Sequence, residues 1–345
     1  MSLSVDIRKD LGGFQLDAVF SVGDETLALL GASGCGKSLT LACVAGIVRP
    51  DRGRIVLDGV TLFDSEERVD LSPQERQTGL MFQHYALFPN MTVEQNLRAG
   101  LRRRGAEARP EAEDMLRRYG LERGRTLYPS QISGGQQQRA ALARMLLSRP
   151  RLLMFDEPFS ALDSHLRFSM EQEVLDVIRS FGGTVLLVSH DRDEVFRLSD
   201  RIAVMHDGHV EAEGPKGDLF RAPRTRQGAI LTGCKNISRA EPRGGRVWAT
   251  DWGVELDVSR WADDVAYIGI RMHDVVHEDR GNRLSCRVLR EIEGPFSTVV
   301  MLAPEGAGEG STPIGWEMEK GLWLRLRSER VAVSLPPESI LPLRR

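Results

Sequence analysis

Gly31-Ala32-Ser33-Gly34-Cys35-Gly36-Lys37-Ser38 follows the apolar run Thr26 to Leu30 and precedes the helix-like LTLACVAGI that begins at Leu39. Glycines at this spacing, closed by a lysine and a hydroxyl, suit the binding of phosphate oxygens. A chain without Cβ atoms can curl tightly enough to aim successive backbone N–H groups inward at an anion. Lys37 adds a positive charge that can reach β- and γ-phosphates, and the Ser38 hydroxyl can ligate the Mg²⁺ that nucleotides carry. The positive end of the following helix dipole favours the same anion. The alternative is a glycine-rich turn with no ligand, and the strand before and helix after weigh against it.

A second group of polar residues sits at strand ends. Leu152-Leu153-Met154-Phe155-Asp156-Glu157 is a continuous apolar strand closed by two carboxylates, which call for a cation or a proton there. In phosphate-loop proteins the first such carboxylate holds Mg²⁺, and Glu157 is then free to orient or deprotonate an attacking water. An ordinary acidic turn before Pro158 is the bland alternative. Thr78 to Phe82 is another apolar strand and delivers Gln83 to its end; Thr184 to Ser189 does the same for His190. Of the seven histidines only His190 has such a context, where it could hold water and Glu157 in register. Ser133-Gly134-Gly135-Gln136 opens a helical stretch and makes a second potential anion site, though by itself it is as easily a helix cap. Ser160-Ala161-Leu162-Asp163 follows the carboxylate pair and leads into an amphipathic helix with Leu166, Met170, Val174, Val177 and Phe181 on one face.

The elements that must position these residues follow from periodicity. Val5 to Ile7 and Phe14 to Phe20 alternate as half-exposed antiparallel strands, and Gly53 to Gly59 reads as a strand between turn glycines. From Val93 to about Arg125 the chain is helical and highly charged. The run Arg102-Arg103-Arg104 has Glu107, Glu111, Glu113 and Asp114 nearby, which makes a solvated helical face the better reading than a nucleic-acid patch.

The bulk numbers set limits on this. At 345 residues the chain exceeds one ordinary domain of about 150 residues, so two units are expected. It is 41% hydrophobic and 28% charged with a net charge of −3, a globular composition without the basic excess that nucleic acid would require. Charges in MSLSVDIRKDLGG break the apolar core a signal peptide needs, and no run of about 18 apolar residues occurs, so no membrane span is expected. Cys35, Cys43, Cys234 and Cys286 lie far apart without CxxC spacing, which predicts reduced thiols rather than disulfides or structural zinc.

GASGCGKS, Gln83, ISGGQQQR, LLMFDEP, SALD and His190, in this order over roughly residues 1 to 230, closely resemble the nucleotide-binding subunit of ATP-binding cassette (ABC) transporters. The resemblance implies an α/β phosphate-loop fold, a RecA-like core with an antiparallel β subdomain and a helical signature subdomain. It further implies a head-to-tail pair of copies, each ATP lying between Gly31 to Leu39 of one and Ser133 to Gln136, with Asp163, of the other. In that reading Ser38, Gln83 and Asp156 hold Mg²⁺, Glu157 is the catalytic base and His190 the switch residue. Tyr85-Ala86-Leu87-Phe88-Pro89 resembles the segment that receives a membrane permease, with an external substrate-binding protein as an indirect partner and no nucleic acid. The protein would then sit peripherally on the cytoplasmic face of the cell membrane. The usual aromatic residue that stacks on adenine has only Leu11 or Phe14 as counterparts, and Ile132 replaces the more usual leucine ahead of the signature.

From Leu231 onward Arg246 to Thr250, Ala266 to Arg271, Ser285 to Leu289, Thr298 to Leu302, Leu322 to Leu326 and Val331 to Leu335 read as short strands, a pattern that suggests a small β-barrel. Residues 231 to 345 resemble the OB-like accessory domain of importer ATPases. Leu231 to Asn236 and Tyr267 to Arg271 look most like the molybdate, tungstate and sulfate group; iron, polyamine and sugar importers are the alternatives. The same domain is expected either to sense an anion or to serve dimerisation alone. A non-transport ABC protein of DNA repair or translation is a further alternative, disfavoured by the single cassette and the lack of heptad runs.

Overall fold

A computed structural model describes residues 2–101, 109–160, 162, 164–259, 261, 264–308 and 310–344. Arg102 to Arg104, Glu107 and Asp163 lie outside the described residues. The chain divides into two compact units, Met1–Lys216 and Gly217–Arg345.

Unit one begins with β1 (Leu3–Asp10), β2 (Gln15–Val22) and β3 (Thr26–Leu30), followed by α1 (Lys37–Ala45). Then come β4 (Arg52–Leu57), β5 (Val60–Asp64), β6 (Val69–Asp70), α2 (Pro73–Arg76) and β7 (Thr78–Met81). A helical stretch follows with α3 (Val93–Ala99), α4 (Arg109–Arg118) and α5 (Gly134–Leu147). The unit closes with β8 (Leu152–Asp156), α6 (Ser164–Phe181), β9 (Val185–Ser189), α7 (Arg192–Leu198), β10 (Arg201–His206) and β11 (His209–Pro215).

All eleven strands form one sheet, ordered β6-β5-β4-β1-β2-β11-β10-β3-β9-β8-β7. Its two halves differ in kind. From β10 through β3, β9 and β8 to β7 every pairing is parallel, and β3, β9 and the first four residues of β8 are buried throughout. Parallel strands covered on both faces must be apolar without alternation, which is why TLALL, LLMF and VLLV read as continuous runs. From β2 to β6 the pairings are antiparallel, and the buried-exposed alternation of β1 and β2 reflects one wet face. Gly53 lies within β4 opposite Ile7 rather than in a turn ahead of it, at φ 107°, where a Cβ would come 2.0 Å from the Asp6 carbonyl oxygen. Among the described residues no helix is long and apolar enough to cross a membrane.

The division falls just after Lys216, the first residue of α8 (Lys216–Arg221); unit two holds the rest of α8, then α9 (Arg226–Leu231), β12 (Asn236–Arg243), β13 (Arg246–Ala249), β14 (Val254–Leu256) and β15 (Tyr267–Ile270). It continues with β16 (Arg283–Glu293), β17 (Ser297–Pro304), β18 (Ile314–Glu319), α10 (Lys320–Leu326), β19 (Arg330–Ser334) and β20 (Leu341–Leu343). By contacts, α9 and the residues before it group with the tail, ahead of the 230/231 boundary read from the sequence. Ala229 packs with Cys234 and Leu343, and the Arg226 amide donates to the Arg344 carbonyl.

Two antiparallel sheets, β14-β13-β12-β15-β20 and β18-β17-β16-β19, share one apolar core in which Trp252, Ile268, Val300, Trp316 and Val333 meet. The single barrel suggested by the strand spacing is thus built as two sheets. All four cysteines are free and buried.

One expected strand is a helix. Leu322 to Leu326 reads as alternation, yet it forms most of α10, with Trp323 buried (3% exposed), Leu322 and Leu326 against the core, and Leu324 exposed at 71%. Spacings of one and four residues make a helical face, whereas a strand would have turned Leu322, Leu324 and Leu326 to one side. Trp323→Ala should therefore cost about 3–5 kcal/mol in denaturant unfolding, and Leu324→Ala within about 0.5 kcal/mol of none; comparable losses at both positions would contradict the helical face.

Candidate active site

The parallel strands bring their carboxyl ends to one edge. Cα register pairs Leu30 with Ser189, Asp156 with Val188 and Met81 with Phe155, so Gly31, His190, Glu157 and Phe82 leave the sheet side by side. This edge is where open parallel sheets hold their ligands.

The loop Gly31 to Ser38 closes on itself. Gly34 (φ 84°) and Gly36 (φ 106°) take left-handed conformations that side chains resist, and Gly36 is the N-cap of α1. Lys37 is buried, and its Nζ donates to the carbonyls of Gly31 at 2.7 Å and Ala32 at 3.0 Å, bracing the loop from within. The Cys35 thiol lies 3.9 Å from that Nζ; burial pushes its pKa up, and the nearby lysine charge opposes the shift. Gly31 is crowded rather than twisted, since a Cβ there would meet the Cys35 Sγ and the Met205 carbonyl oxygen, each at 2.5 Å.

Ser38 Oγ donates to Asp156 Oδ1 at 2.8 Å, joining the start of α1 to the end of β8. Burial raises the Asp156 carboxyl above its ordinary value, the Ser38 hydrogen bond pulls it back, and the neighbouring Glu157 adds to the rise. Glu157 sits in a strained turn, at φ 45°, fixed by its amide donating to the Val188 carbonyl at 2.9 Å. Its Oε2 lies 3.1 Å from His190 Nδ1. A carboxylate oxygen accepts, so Nδ1 is the donor and Nε2 is left for another partner. Gln83 is exposed, one residue beyond Phe82.

Ser33, Gly34, Gly36, Lys37, Ser38, Leu39, Gln83 and Glu157 line a single cleft of about 520 Å³ together with Leu11 and Phe14. Asp156 and His190 join it through Ser38 and Glu157, while Gly31, Ala32 and Cys35 form the back of the loop. Ser133 to Gln136 are not among the residues lining this cleft. They begin α5 as a capping box: Ser133 Oγ accepts from the Gln136 amide at 3.3 Å, and the Ser133 amide donates to Gln136 Oε1 at 3.0 Å. Beside Gln83, Tyr85 (φ 58°) and Ala86 (φ 44°) are both left-handed, and Arg144 supports the bend, donating to the Tyr85 carbonyl at 3.2 Å and lying 5.2 Å from the Phe88 ring centroid.

A supporting network escaped the sequence reading. Ser189 Oγ donates to the buried Glu194 at 2.7 Å and accepts from the Asp191 amide at 2.9 Å, while Asp191 caps α7 and pairs with Arg167 at 3.4 Å. It pins the backbone on both sides of His190. Its signal was present as a D-x-x-E capping pattern directly after the histidine.

A mixed sheet whose parallel half carries a phosphate loop between β3 and α1, and two carboxylates at the end of β8, defines a phosphate-loop nucleotide-hydrolase fold. The profile of the ABC transporter family matches residues 20–160. The sulfate/thiosulfate import ATP-binding protein CysA 2 of Chromobacterium violaceum is 39% identical over 290 residues, covering 82% of this chain and 77% of that one. The spermidine/putrescine import ATP-binding protein PotA of Bacillus cereus is 42% identical over 217 residues, covering 62% of this chain and 64% of its own length. Among solved structures, the dimeric post-hydrolysis state of the ATP-binding cassette MJ0796 bound to ADP and Pi superposes with a TM-score of 0.54 at 30% identity, covering 63% of this chain and 99% of that one. The chain belongs to the ABC transporter family, as one of its ATP-binding, ATP-hydrolysing transport ATPases.

Gly31→Ala should weaken binding of a fluorescent ATP analogue at least tenfold, because the Met205 contact forces the loop away from β10 and the Cys35 contact forces its turn apart. An unchanged affinity would show that the loop absorbs the shift.

Proposed function

We propose that the chain is the ATP-hydrolysing subunit of an importer for a sulfate-class oxyanion. The observation that carries the reading is the gathering of Gln83, Asp156, Glu157 and His190 at neighbouring ends of parallel strands, with Ser38 at the start of α1 bonded to Asp156. Gly31 to Ser38, with Leu39, cradle the phosphates of ATP. Leu11 and Phe14 border the same cleft and are the candidates to meet adenine.

The donor set fits Mg²⁺. A hydroxyl, an amide oxygen and one carboxylate are hard oxygen ligands, and Mg²⁺ keeps several waters and needs one or two carboxylates at most. Ser38, Gln83 and Asp156 would hold it, and when bound it would neutralise charge on the phosphate oxygens. Glu157 then serves as the general base for the attacking water, with His190 holding the carboxylate in place through Nδ1.

Ser133 to Gln136, and Asp163, are assigned to the site of a second copy. The absence of Ser133 to Gln136 from the cleft lining supports that reading, as does the dimeric form of the solved cassette. The Tyr85 to Pro89 bend, with Phe88 exposed, suits docking of a permease, and the protein would act peripherally at the cytoplasmic membrane face with an external binding protein upstream. Residues 1–230 are read as the ATPase domain and 231–345 as an OB-like accessory domain.

Sulfate is favoured over polyamine by coverage. A match to 82% of the chain must run well into unit two, whereas one to 62% fits within unit one. Molybdate and tungstate, the other tetrahedral anions suggested by the tail, have no counterpart among the relatives named above, and neither does a DNA-repair or translation role.

Glu157→Gln should leave ATP affinity within about threefold of wild type and lower hydrolysis by 10²–10⁴-fold, as removal of a general base does. Unchanged turnover would remove Glu157 from this role. For the substrate, cells lacking the gene should lose uptake of labelled sulfate and regain it on complementation; loss of putrescine uptake instead would select the polyamine reading.

A further inference from the structure

Arg76 ends α2 and is 1% exposed, among the largest fully buried side chains described. Its guanidinium is spent on four acceptors. Nη1 donates to the carbonyls of Cys43 at 2.7 Å and Val44 at 3.0 Å, Nε to the Leu71 carbonyl at 2.8 Å, and Nη2 to Asp70 Oδ1 at 3.0 Å. The first two carbonyls belong to the last turn of α1, where a cation is favoured by the helix dipole. Gly46 completes the fit: at φ 80° it caps α1, and a Cβ there would lie 2.6 Å from Arg76 Nε and 2.9 Å from Cζ.

The position of this arginine matters more than its energy. Buried ion pairs add little net stability against their desolvation cost. Arg76 instead joins two elements that both end in the site. α1 starts with Lys37 and Ser38 and has only nine residues, a rod of about 13 Å at 1.5 Å per residue. Directly after Arg76 comes the left-handed Gln77 (φ 53°), whose carbonyl accepts from the Arg151 amide at 2.9 Å, and then β7, which leads through Phe82 to Gln83. A shift at one end of so short a helix is carried to the other.

We propose that Arg76 is a positioning residue that fixes α1 against β7, so that the Ser38 hydroxyl and the Gln83 amide meet the same Mg²⁺-nucleotide. The proposal rests on the function assigned above to Ser38 and Gln83. Lysine at this position keeps the charge and loses the fork that reaches α1 and the end of β6 together.

The test uses the full chain and a fluorescent ATP analogue, with Kd measured in EDTA and in saturating Mg²⁺, alongside thermal melting. In Arg76→Lys the Kd in EDTA should stay within about twofold of wild type, while the tightening produced by Mg²⁺ should shrink at least fivefold. Ser38→Ala and Gln83→Ala should shrink it too, and adding Gln83→Ala to Arg76→Lys should cost nothing further, because the amide is already out of place. A folded Arg76→Lys that melts lower yet keeps the wild-type Mg²⁺ effect would reduce Arg76 to a helix cap and overturn the proposal, as would fully additive losses. If Mg²⁺ has no effect in wild type, or Ser38→Ala leaves it intact, the metal reading itself fails and takes the proposal with it. Should Arg76→Lys not fold, hydrogen exchange on wild type decides: Mg²⁺-ATP should slow exchange at Gly46 to Val48 and at Gln77 to Met81 together, and ATP in EDTA should not. Protection confined to the phosphate loop would overturn the proposal.

Discussion

Parallel pairing of β8 and β9 within a sheet buried on both faces is the constraint on which the site depends. The register that sets Asp156 opposite Val188 leaves the Glu157 amide within reach of the Val188 carbonyl, and that hydrogen bond holds Glu157 at a positive φ. A non-glycine residue keeps such a conformation only where its surroundings enforce it. Because a slip of β8 along β9 would draw Arg151 or Asp156 into the buried sheet from one end, the carboxylate cannot move either. His190, one residue past the end of β9, then finds Glu157 at a distance set by the sheet rather than by the loop.

The phosphate loop depends on a different balance. Its glycines remove the side chains that would block the curl, and in exchange the loop has few packing contacts to keep its shape. Lys37 supplies them from inside, its Nζ buried against the loop's own carbonyls. The residue most often read as a pure phosphate ligand is also part of the loop's scaffold. The link from Ser38 to Asp156 gives the loop one fixed point on the sheet, and the buried arginine behind α1 gives the helix another. Electrostatics at the edge are correspondingly tense: Asp156 is driven up by burial and by its neighbour Glu157, a combination that a bound cation relieves.

Unit two shows the limits of reading alternation. KGLWLRL alternates well enough to suggest a strand, and the neighbouring segments really are strands. The burial of Trp323 decided otherwise, because an indole packed beside Trp316 under the sheets outweighs a weak local preference. Four further strands, β12, β14, β18 and β20, were not singled out in the sequence; two are only three residues long, and β12 ends in the exposed Glu241-Pro242-Arg243, where the buried pattern fades.

What the sequence determined by itself was the chemistry and its order: a phosphate loop after a buried strand, two carboxylates after another, a glutamine and a histidine at two more strand ends. These are legible because each depends on local rules, the conformational freedom of glycine and the uniform apolarity of strands covered on both faces. Tertiary structure alone decided which of them meet. The pairing of Glu157 with His190 and the burial of Arg76 behind α1 each join residues 33 positions apart through sheet register and packing, and the bracing of the loop by Lys37 depends on the burial of its Nζ. No periodicity encodes those distances, since they are set by which strands lie side by side and not by the residues along any one of them.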